Sequence, residues 1–239
     1  MEIAGGVAVV TGAAAGIGRA IAQALATEGA AIVIADINSD QGRRTAEELG
    51  GRFVQTDVLQ DDELRALIAA ADGLEILVNN AGGAPGPFYP EAPLEHWSRT
   101  LDLNLRSAML ATQLALEAMV AGGAIVHVSS IAGYGLSPHD APEYAVAKAG
   151  LIRLAGALSG LADTTGVRVS CVCPDWVDTP AVRRSLASMT DEERAEVPEL
   201  VGADEIAGIV LDLIRDETSS GRVVVRPAGG ETFTVPREP

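Results

Sequence analysis

Short apolar runs alternate with longer helix-like segments along the 239 residues, and this rhythm constrains the fold most. The runs predict strands at Val7–Val10, Ala31–Ala35, Arg52–Gln55, Leu74–Val78, Ala124–Val128, Val167–Val172 and Val223–Val225. Helices are predicted near Gly16–Gly29, Ser39–Leu49, Asp61–Ala71, Leu94–Val120, Pro142–Asp163 and Ala203–Asp216. Most runs are continuous in Val, Ile and Leu, as in parallel strands buried on both faces. The alternation therefore predicts an α/β fold, a doubly wound parallel sheet of about seven strands with helices on both faces.

One segment breaks this rhythm. Thr179–Gly202 is polar and charged, and it is bounded by Pro180 and Pro198. Such a segment is either a mobile surface excursion or a lid over a site. Because no linker rich in Pro, Gly or Ser divides the chain, we expect residues 1–239 to form a single domain with a lid at about 179–202.

Charge and hydropathy exclude several classes of function. The formal net charge of −16 disfavours nucleic acid and anionic membranes as partners. No apolar run reaches the roughly 18 residues of a membrane span, and we expect no signal peptide. Cys171 and Cys173 stand two apart in a strand-like run and are interpreted as small core residues rather than a disulfide. A cytoplasmic location is therefore expected.

The first predicted strand ends in a glycine-rich segment, Thr11–Gly18, that opens a helix. Glycines there let the backbone approach a pyrophosphate bound at the helix N-terminus. Asp36 ends the second strand, where a carboxylate can accept hydrogen bonds from a ribose and repel a 2′-phosphate. The alternative for Asp36 is a turn or helix-capping aspartate. Coupled to the glycines, it favours NAD over NADP.

A tyrosine and a lysine, Tyr144 and Lys148, stand four residues apart in a predicted helix. This spacing places both on one face, one turn apart. A nearby ammonium favours the tyrosinate, and a tyrosine tuned in this way can act as a general acid or base. Alone, the spacing is more often that of a surface pair.

Together with further motifs in order, these segments make the chain resemble the short-chain dehydrogenase/reductase family almost end to end. The matching segments are Thr11–Gly18 (TGxxxGIG), Asp57 with Val58, Asn79–Gly82 (NNAG), Asn104, Ile125–Ser130, Tyr144 with Lys148 (YxxxK) and Pro174–Thr179 (PGxxxT in the family). The resemblance implies a Rossmann-like fold, a nicotinamide cofactor and a small alcohol or ketone substrate. It also implies a homotetramer, or a dimer, and no metal.

The resemblance also implies roles for single residues. Tyr144 would be the acid or base, Lys148 would lower its pKa and bind the nicotinamide ribose, and Ser130 would hydrogen-bond the substrate oxygen. Asn104 would hold a water that links Lys148 to solvent. The residues implied in cofactor binding are Gly12, Ala15, Gly16, Ile17, Gly18, Asp36, Asp57, Val58, Asn80, Ala81, Gly82, Tyr144, Lys148, Pro174, Val177 and Thr179.

Two departures from the family pattern affect the site. Ser130 and Tyr144 are fourteen residues apart instead of the usual thirteen, so either the loop Ile131–Glu143 bulges or Ser129 shares the role. A bulge is favoured because the loop contains glycine and proline. Asp175 replaces the usual glycine and is expected to face solvent. The other interpretation is that it contacts a polar or cationic part of the substrate.

Other residues near the site are less decisive. Phe88, Tyr89 and Trp176 are candidate pocket walls or packing residues under loops. His139 with Asp140 is expected to form a solvated turn, with a polar substrate contact as the alternative.

Three functions remain open from the sequence. The favoured one is an NAD-dependent oxidoreductase that interconverts a secondary alcohol and a ketone. The second is an NADPH-dependent ketoreductase of the 3-oxoacyl type, which Asp36 and the acidic surface disfavour. The third is a dinucleotide-binding regulator without turnover, which the full set of catalytic candidates disfavours.

Overall fold

The computed structural model describes residues 1–84, 86–119 and 122–236. Within these residues eight strands form one sheet, in the order β3-β2-β1-β4-β5-β6-β7-β8, and only β8 is antiparallel to its neighbour. The strands are β1 Val7–Thr11, β2 Ala31–Asp36, β3 Arg52–Gln55, β4 Leu74–Asn79, β5 Gly123–Val128, β6 Val167–Pro174, β7 Val223–Arg226 and β8 Phe233–Thr234. The predicted α/β fold is confirmed. The eighth strand was not predicted because its two exposed residues do not form an apolar run.

Ten α-helices connect the strands in the described residues. They are α1 Gly16–Thr27, α2 Ser39–Leu49, α3 Asp61–Ala70, α4 Leu94–Leu101, α5 Ser107–Ala118, α6 Pro142–Ala157, α7 Leu161–Thr165, α8 Pro180–Ser188, α9 Asp191–Ala195 and α10 Ala203–Arg215. In this part of the chain, no helix has the length and apolar character needed to cross a membrane.

The core consists of two apolar layers, one on each face of the sheet. Successive residues of a strand point to opposite faces, so Val10 belongs to one layer and Val9 to the other. Val10 packs in the layer that contains Ile21 of α1, and Val9 packs in the layer that contains Leu67 of α3. The strands are apolar along their whole length because both faces are covered.

Three predicted segments differ from the structure. The helix predicted at Leu94–Val120 is interrupted by a π-helical turn, Asp102–Arg106, and its predicted last residue lies outside the described residues. The helix predicted at Pro142–Asp163 ends at Ala157, and α7 follows after a short break. The irregular segment Thr179–Gly202 contains α8 and α9.

The two helices of that segment have local signals that were overlooked. The Thr179 side chain accepts the N–H of Val182 at 3.2 Å, and Pro180 occupies the first turn of α8. Thr190 and Glu193 form a reciprocal capping box at the start of α9. The ends of the segment are joined, because Val177 and Val201 form a parallel bridge.

Candidate active site

The candidate site lies at the carboxyl edge of the parallel strands. Gly12 and Ser130 follow β1 and β5, Asp36 ends β2, and Asn80 follows β4. The connections from β1 to β2 and from β4 to β5 run in opposite directions along the sheet, because the order is β3-β2-β1-β4-β5. Such a reversal opens a crevice outside the strand ends. The predicted residues from distant parts of the sequence therefore meet at one crevice.

The glycine-rich loop is shaped to approach a ligand closely. Gly12 and Gly16 have φ angles of +65° and +57°, in the left-handed region that favours glycine. A Cβ at Gly18 would lie 2.4 Å from the Gly12 carbonyl oxygen, so only glycine fits there. Ala15 precedes α1, whose first turn has neither an acidic residue nor a side-chain cap. Its backbone N–H groups form a site suited to an anion such as a pyrophosphate.

Asn80 and Thr11 hold this loop in place. The Asn80 side-chain amide donates to the carbonyl oxygens of Thr11 and Gly12, at 2.8 and 3.1 Å. The Thr11 hydroxyl accepts the N–H groups of Asn80 and Ala81, at 3.0 and 3.1 Å. Asn80 therefore shapes the site through the loop. The role of Thr11 could not be inferred from the sequence, because its partners lie 69 and 70 residues away.

Asp36 lies at the end of β2 beside the glycine loop. Its two carboxylate oxygens accept the N–H groups of Ala14 and Asn38, each at 2.9 Å. The bond to Asn38 is the turn role considered for this residue, while the bond to Ala14 aims the carboxylate at the loop. Asp57 and the buried Val58 follow the neighbouring strand β3. The candidates for the adenosine end of a dinucleotide are thus adjacent at one edge.

Tyr144 and Lys148 lie one turn apart on α6. The Lys148 ammonium nitrogen is 5.5 Å from the centre of the Tyr144 ring and donates to the carbonyl oxygen of Val128 at 2.9 Å. Lys148 is 4% exposed. A Cβ at Gly82 would lie 3.2 Å from the Lys148 ammonium, so glycine leaves the room that this side chain needs. Lys148 is therefore buried and Tyr144 half-buried at the inner cavity, so the two are not a solvated surface pair.

Burial dominates the pKa values of this pair. The pKa of Tyr144 is raised by burial, and a hydrogen bond with Ser130 opposes that rise. Burial also lowers the pKa of Lys148 from 10.5 to about 8. Loss of hydration is the larger influence on the Tyr144 pKa and the hydrogen bond with Ser130 opposes it, while a lowering of this pKa by Lys148 stays a prediction.

The two serines after β5 have separate tasks. The Ser129 hydroxyl is buried and donates to the carbonyl oxygen of Lys148 at 2.6 Å, so it anchors α6 to the sheet. The Ser130 hydroxyl accepts the N–H of Ala132 at 3.1 Å and bonds Tyr144. Ser130 is therefore the serine beside the tyrosine. The loop between Ser130 and Tyr144 begins with the 3₁₀ turn Ile131–Gly133, and a bulge that holds its extra residue stays a prediction.

Asn104 is buried in the π-helical turn between α4 and α5. Its side-chain oxygen accepts the N–H of Gly83 at 2.9 Å. Its amide donates to the carbonyl oxygens of Gly83 and Thr100, at 2.8 and 2.9 Å. A Cβ at Gly82 would lie 2.5 Å from the Asn104 side-chain oxygen. The side chain is committed to the loop after β4, and the water-holding role implied by the resemblance stays a prediction.

The segment after β6 reaches the glycine loop. Pro174 ends the strand, and Val177 is buried. The Thr179 methyl group packs on the loop, since a Cβ at Gly16 would lie 3.2 Å from it. The Thr179 hydroxyl caps α8. Thr179 therefore closes the crevice from the side opposite Asn80.

Two adjoining hollows occupy the crevice. The inner cavity, about 310 Å³, is lined by residues that include Gly12, Ile17, Asn80, Tyr144, Lys148 and Thr179. The outer cleft, about 780 Å³, is lined by residues that include Ser130, Tyr134, His139, Asp140, Asp175 and Trp176. The inner cavity joins the glycine loop to the tyrosine–lysine pair, and the outer cleft begins at Ser130.

The aromatic and histidine candidates divide between these places. Trp176 lines the outer cleft, whereas Tyr89 is exposed and packs against Trp97 with ring centres 5.9 Å apart. His139 lies in an exposed turn, where its Nδ1 accepts the N–H of Ala141 at 3.0 Å. Its ring centre is also 5.7 Å from that of Tyr144. His139 thus does more than form a solvated turn.

Asp175 is held at the wall of the outer cleft. One carboxylate oxygen accepts the N–H of Ala228 at 3.0 Å, and the residue is only partly exposed. The expectation that Asp175 simply faces solvent is therefore wrong. A carboxylate oxygen bonded to a distant backbone N–H fixes the direction of this side chain.

Two buried polar groups beside the site were missed. Glu143, which precedes Tyr144, is 2% exposed, and among the described residues neither carboxylate oxygen has a hydrogen-bond partner. The imidazole of His96 on α4 lies close by, with its Nε2 3.8 Å from Oε1 of Glu143. His127 of β5 is fully buried, bonds Asn79, and has its pKa lowered by burial to about 4. The burial of Glu143 could not be inferred from the sequence, because a glutamate in the first turn of a helix normally faces water.

Comparisons with known proteins agree with this geometry. A family model described as enoyl-(acyl carrier protein) reductase matches residues 12–225. The cis-4-hydroxycyclohexanecarboxylate dehydrogenase of Sinomonas cyclohexanicum is 38% identical over 230 residues, which cover 89% of this chain and 90% of the relative.

Two solved structures are similar over nearly their full length. A Brucella melitensis protein named ribose-5-phosphate isomerase has a TM-score of 0.87 and 32% identity, covering 95% of this chain and 93% of that one. A variant of actinorhodin polyketide ketoreductase, solved with NADPH, has a TM-score of 0.86 and 30% identity, covering 94% and 97%. Fold and site define a nicotinamide-dinucleotide oxidoreductase. The chain belongs to the short-chain dehydrogenase/reductase family.

Proposed function

We propose that this protein is an NAD-dependent oxidoreductase that interconverts a secondary alcohol and a ketone. One observation carries the proposal: the inner cavity is lined by the glycine loop at one end and by Tyr144 and Lys148 at the other. A dinucleotide laid along the glycine loop would bring its nicotinamide to the acid–base pair. A single catalytic domain with α8 and α9 as its lid, a cytoplasmic location and a homotetramer are part of the same proposal.

The glycine loop and the start of α1 have a shape that suits a dinucleotide. A Cβ at Gly18 would meet the Gly12 carbonyl, and the start of α1 offers free N–H groups to a pyrophosphate. Lys148 is proposed to hold the nicotinamide ribose, and Thr179 the carboxamide. When bound, the nicotinamide accepts the hydride from an alcohol or delivers one to a ketone.

The protein's own residues handle the proton. In oxidation, the Tyr144 oxygen takes the hydroxyl proton as the hydride leaves the carbinol carbon; in reduction, it returns a proton to the ketone oxygen. Because Ser130 and Tyr144 interact with each other, both hydroxyls are proposed to lie beside the reacting oxygen. Ser130 stabilises negative charge that develops on this oxygen. Lys148, one turn away on α6, is proposed to favour the tyrosinate through its positive charge.

NAD is proposed because of Asp36. Both carboxylate oxygens are oriented by backbone N–H groups, and the carboxylate stands at the expected adenosine ribose. The second candidate is an NADPH-dependent ketoreductase, which the similarity to the polyketide ketoreductase solved with NADPH supports. The Asp36 charge speaks against a 2′-phosphate.

The test is turnover with matched cofactors. Purified protein is assayed with NAD and NADP on a panel of secondary alcohols and with NADH and NADPH on the ketones. We expect higher kcat/KM with NAD, and about 10²–10⁴-fold loss of kcat in Tyr144→Phe with the fold intact. Tight NAD binding without any turnover would instead indicate a regulator, and a preference for NADP would overturn the role of Asp36.

A further inference from the structure

We infer that Asp175 is a specificity-determining residue that selects alcohols or ketones carrying a positive charge and rejects those carrying a carboxylate. The inference rests on the proposed function, because it assigns a substrate class to the same site. It depends on three observations: the fixed position of Asp175 in the cleft wall, the lack of a lysine or arginine among the described lining residues, and the presence of Asp140 in the same cleft.

Asp175 is fixed in the wall of the outer cleft from two sides. Its N–H donates to the carbonyl oxygen of Arg226 at 3.0 Å, and its carboxylate accepts the N–H of Ala228 at 3.0 Å. The residue follows β6 directly, so the sheet holds its backbone. Among the described residues, its second carboxylate oxygen has no hydrogen-bond partner. That oxygen is free for a ligand in the cleft that also contains Ser130.

Two neighbouring arginines are engaged with other groups, and a third, Arg184, lines the inner cavity rather than the outer cleft. The Arg226 guanidinium donates to Glu205 and to the carbonyl oxygens of Pro227 and Gly230. Arg183, on α8 above the cleft, donates twice to Asp178, at 2.5 and 2.6 Å. Within the part of the chain that the structure describes, no lysine or arginine lines the outer cleft. Among the described residues, the lining of the outer cleft therefore supplies no lysine or arginine to neutralise Asp175.

A second aspartate, Asp140, adds to the negative charge of the outer cleft. Asp140 lines the cleft with His139, whose Nδ1 is bonded to the Ala141 N–H. A substrate that presents its hydroxyl to Ser130 and Tyr144 would extend into a cleft whose lining includes two aspartates. A carboxylate there would meet like charges in a partly desolvated cleft, whereas an ammonium would be attracted.

The contrast with a relative makes the inference specific. The Sinomonas relative is named for a substrate with a carboxylate, cis-4-hydroxycyclohexanecarboxylate. The outer cleft of this chain presents carboxylates and no lysine or arginine among its described residues. The inference thus predicts that this protein prefers a substrate of opposite charge, and the relative's named substrate serves as the comparison compound.

Three alcohols with one ring test the charge alone. Cyclohexanol, 4-aminocyclohexanol and 4-hydroxycyclohexanecarboxylate are compared at pH 7 with saturating NAD. The wild-type protein should favour the amine over the carboxylate by at least about tenfold in kcat/KM, as a single charge at close range predicts. In Asp175→Asn, which keeps an oxygen for the Ala228 N–H, this ratio should fall by about tenfold.

A distant charge serves as the matched control. Asp163→Asn removes one negative charge in α7, which precedes β6 and does not line the outer cleft, and should leave the ratio unchanged. Equal or better use of the carboxylate by the wild type, or an unchanged ratio in Asp175→Asn, overturns the inference.

Binding separates this inference from the proposed function. If no alcohol is turned over, the proposed chemistry fails, and the charge preference is measured by ligand-observed NMR with cyclohexylamine and cyclohexanecarboxylate on the NADH-saturated protein. Tighter binding of the amine that is lost in Asp175→Asn supports the inference. Equal binding of the two overturns it.

Discussion

The two halves of the site are built in opposite ways. The cofactor half is defined here as residues 11–18 with residues 80–83. Its polar side chains, those of Thr11 and Asn80, are engaged in hydrogen bonds within the protein. Asn80 alone holds two carbonyl oxygens of the glycine loop. In the substrate half, residues 130–141 with Asp175 and Trp176, most side chains are exposed or half-exposed, and Leu136 is 102% exposed. The rigid cofactor half suits a ligand of fixed shape. The substrate half has few internal hydrogen bonds, so its residues can be substituted with little effect on the stability of the fold.

The comparison would break most visibly at Gly18. In Gly18→Ala the new Cβ would meet the Gly12 carbonyl oxygen at 2.4 Å and the Asn80 amide at 2.5 Å. We expect the NAD dissociation constant to rise about 100-fold and the free energy of unfolding to fall by about 1–3 kcal/mol. Calorimetric titration and thermal melting measure both.

A glycine with open space is the control for this change. A Cβ at Gly208 on α10 meets nothing within 4 Å, so Gly208→Ala should raise stability by up to about 1 kcal/mol without altering NAD affinity. Unchanged NAD affinity in Gly18→Ala would contradict the claim that the cofactor half is rigid.

Lys148 sharpens the comparison, because function and stability oppose each other there. Its pKa is 10.5 when exposed and about 8 when folded, so below pH 8 the buried ammonium costs the folded state up to about 3 kcal/mol. The folded protein releases this proton first, so the cost is relieved as pH rises from 8 to 10.5. Lys148→Met should be about 1–3 kcal/mol more stable at pH 7 and inactive.

Chemical denaturation at several pH values checks the sign. The stability gap between Lys148→Met and the wild type should narrow from pH 8 to pH 10.5. A variant that is less stable at pH 7, or a gap that does not depend on pH, would show that burial does not govern this lysine.

Asn80→Ala should have a smaller effect on both properties. The loss of two hydrogen bonds to the glycine loop should cost about 1–2 kcal/mol of stability and about tenfold in NAD affinity. Thr218→Ala also removes side-chain hydrogen bonds, to Asp216 and Arg222, but lies away from the site. It should lower stability and leave NAD affinity unchanged; if both variants weaken NAD binding equally, the role of Asn80 is general.

The smallest effect is expected in the substrate half. Leu136 is fully exposed beside the outer cleft, so Leu136→Ser should change stability by less than about 0.5 kcal/mol. NAD affinity should stay the same, while kcat/KM for bulky alcohols shifts. A stability loss as large as that of Asn80→Ala would erase the distinction between the halves.

Prediction from the sequence succeeded where the signal was local. Continuous apolar runs located seven strands, and the sheet then brought Gly12, Asp36, Asn80, Ser130 and the α6 pair to one edge. It failed where the deciding partner is distant. Asp175 takes its direction from an N–H 53 residues away, and nothing near Asp175 in the sequence announces that bond.

The pKa of Tyr144 could not be predicted for a similar reason. The spacing of Tyr144 and Lys148 indicated a charge effect, but the depth of burial decides the sign, and burial belongs to the packed molecule. In α9 the failure was different: the capping box of Thr190 and Glu193 is a local signal that the polar composition of the segment concealed.

Lys148 has one more consequence, which concerns chemical labelling. It is the only lysine in the sequence. With a pKa of about 8, a sizeable fraction of its amine is unprotonated and nucleophilic at mildly alkaline pH, and it lines the inner cavity. Apart from the chain's own N-terminus, amine-directed reagents therefore have one target. The extent of labelling reports directly on how far a ligand fills the inner cavity.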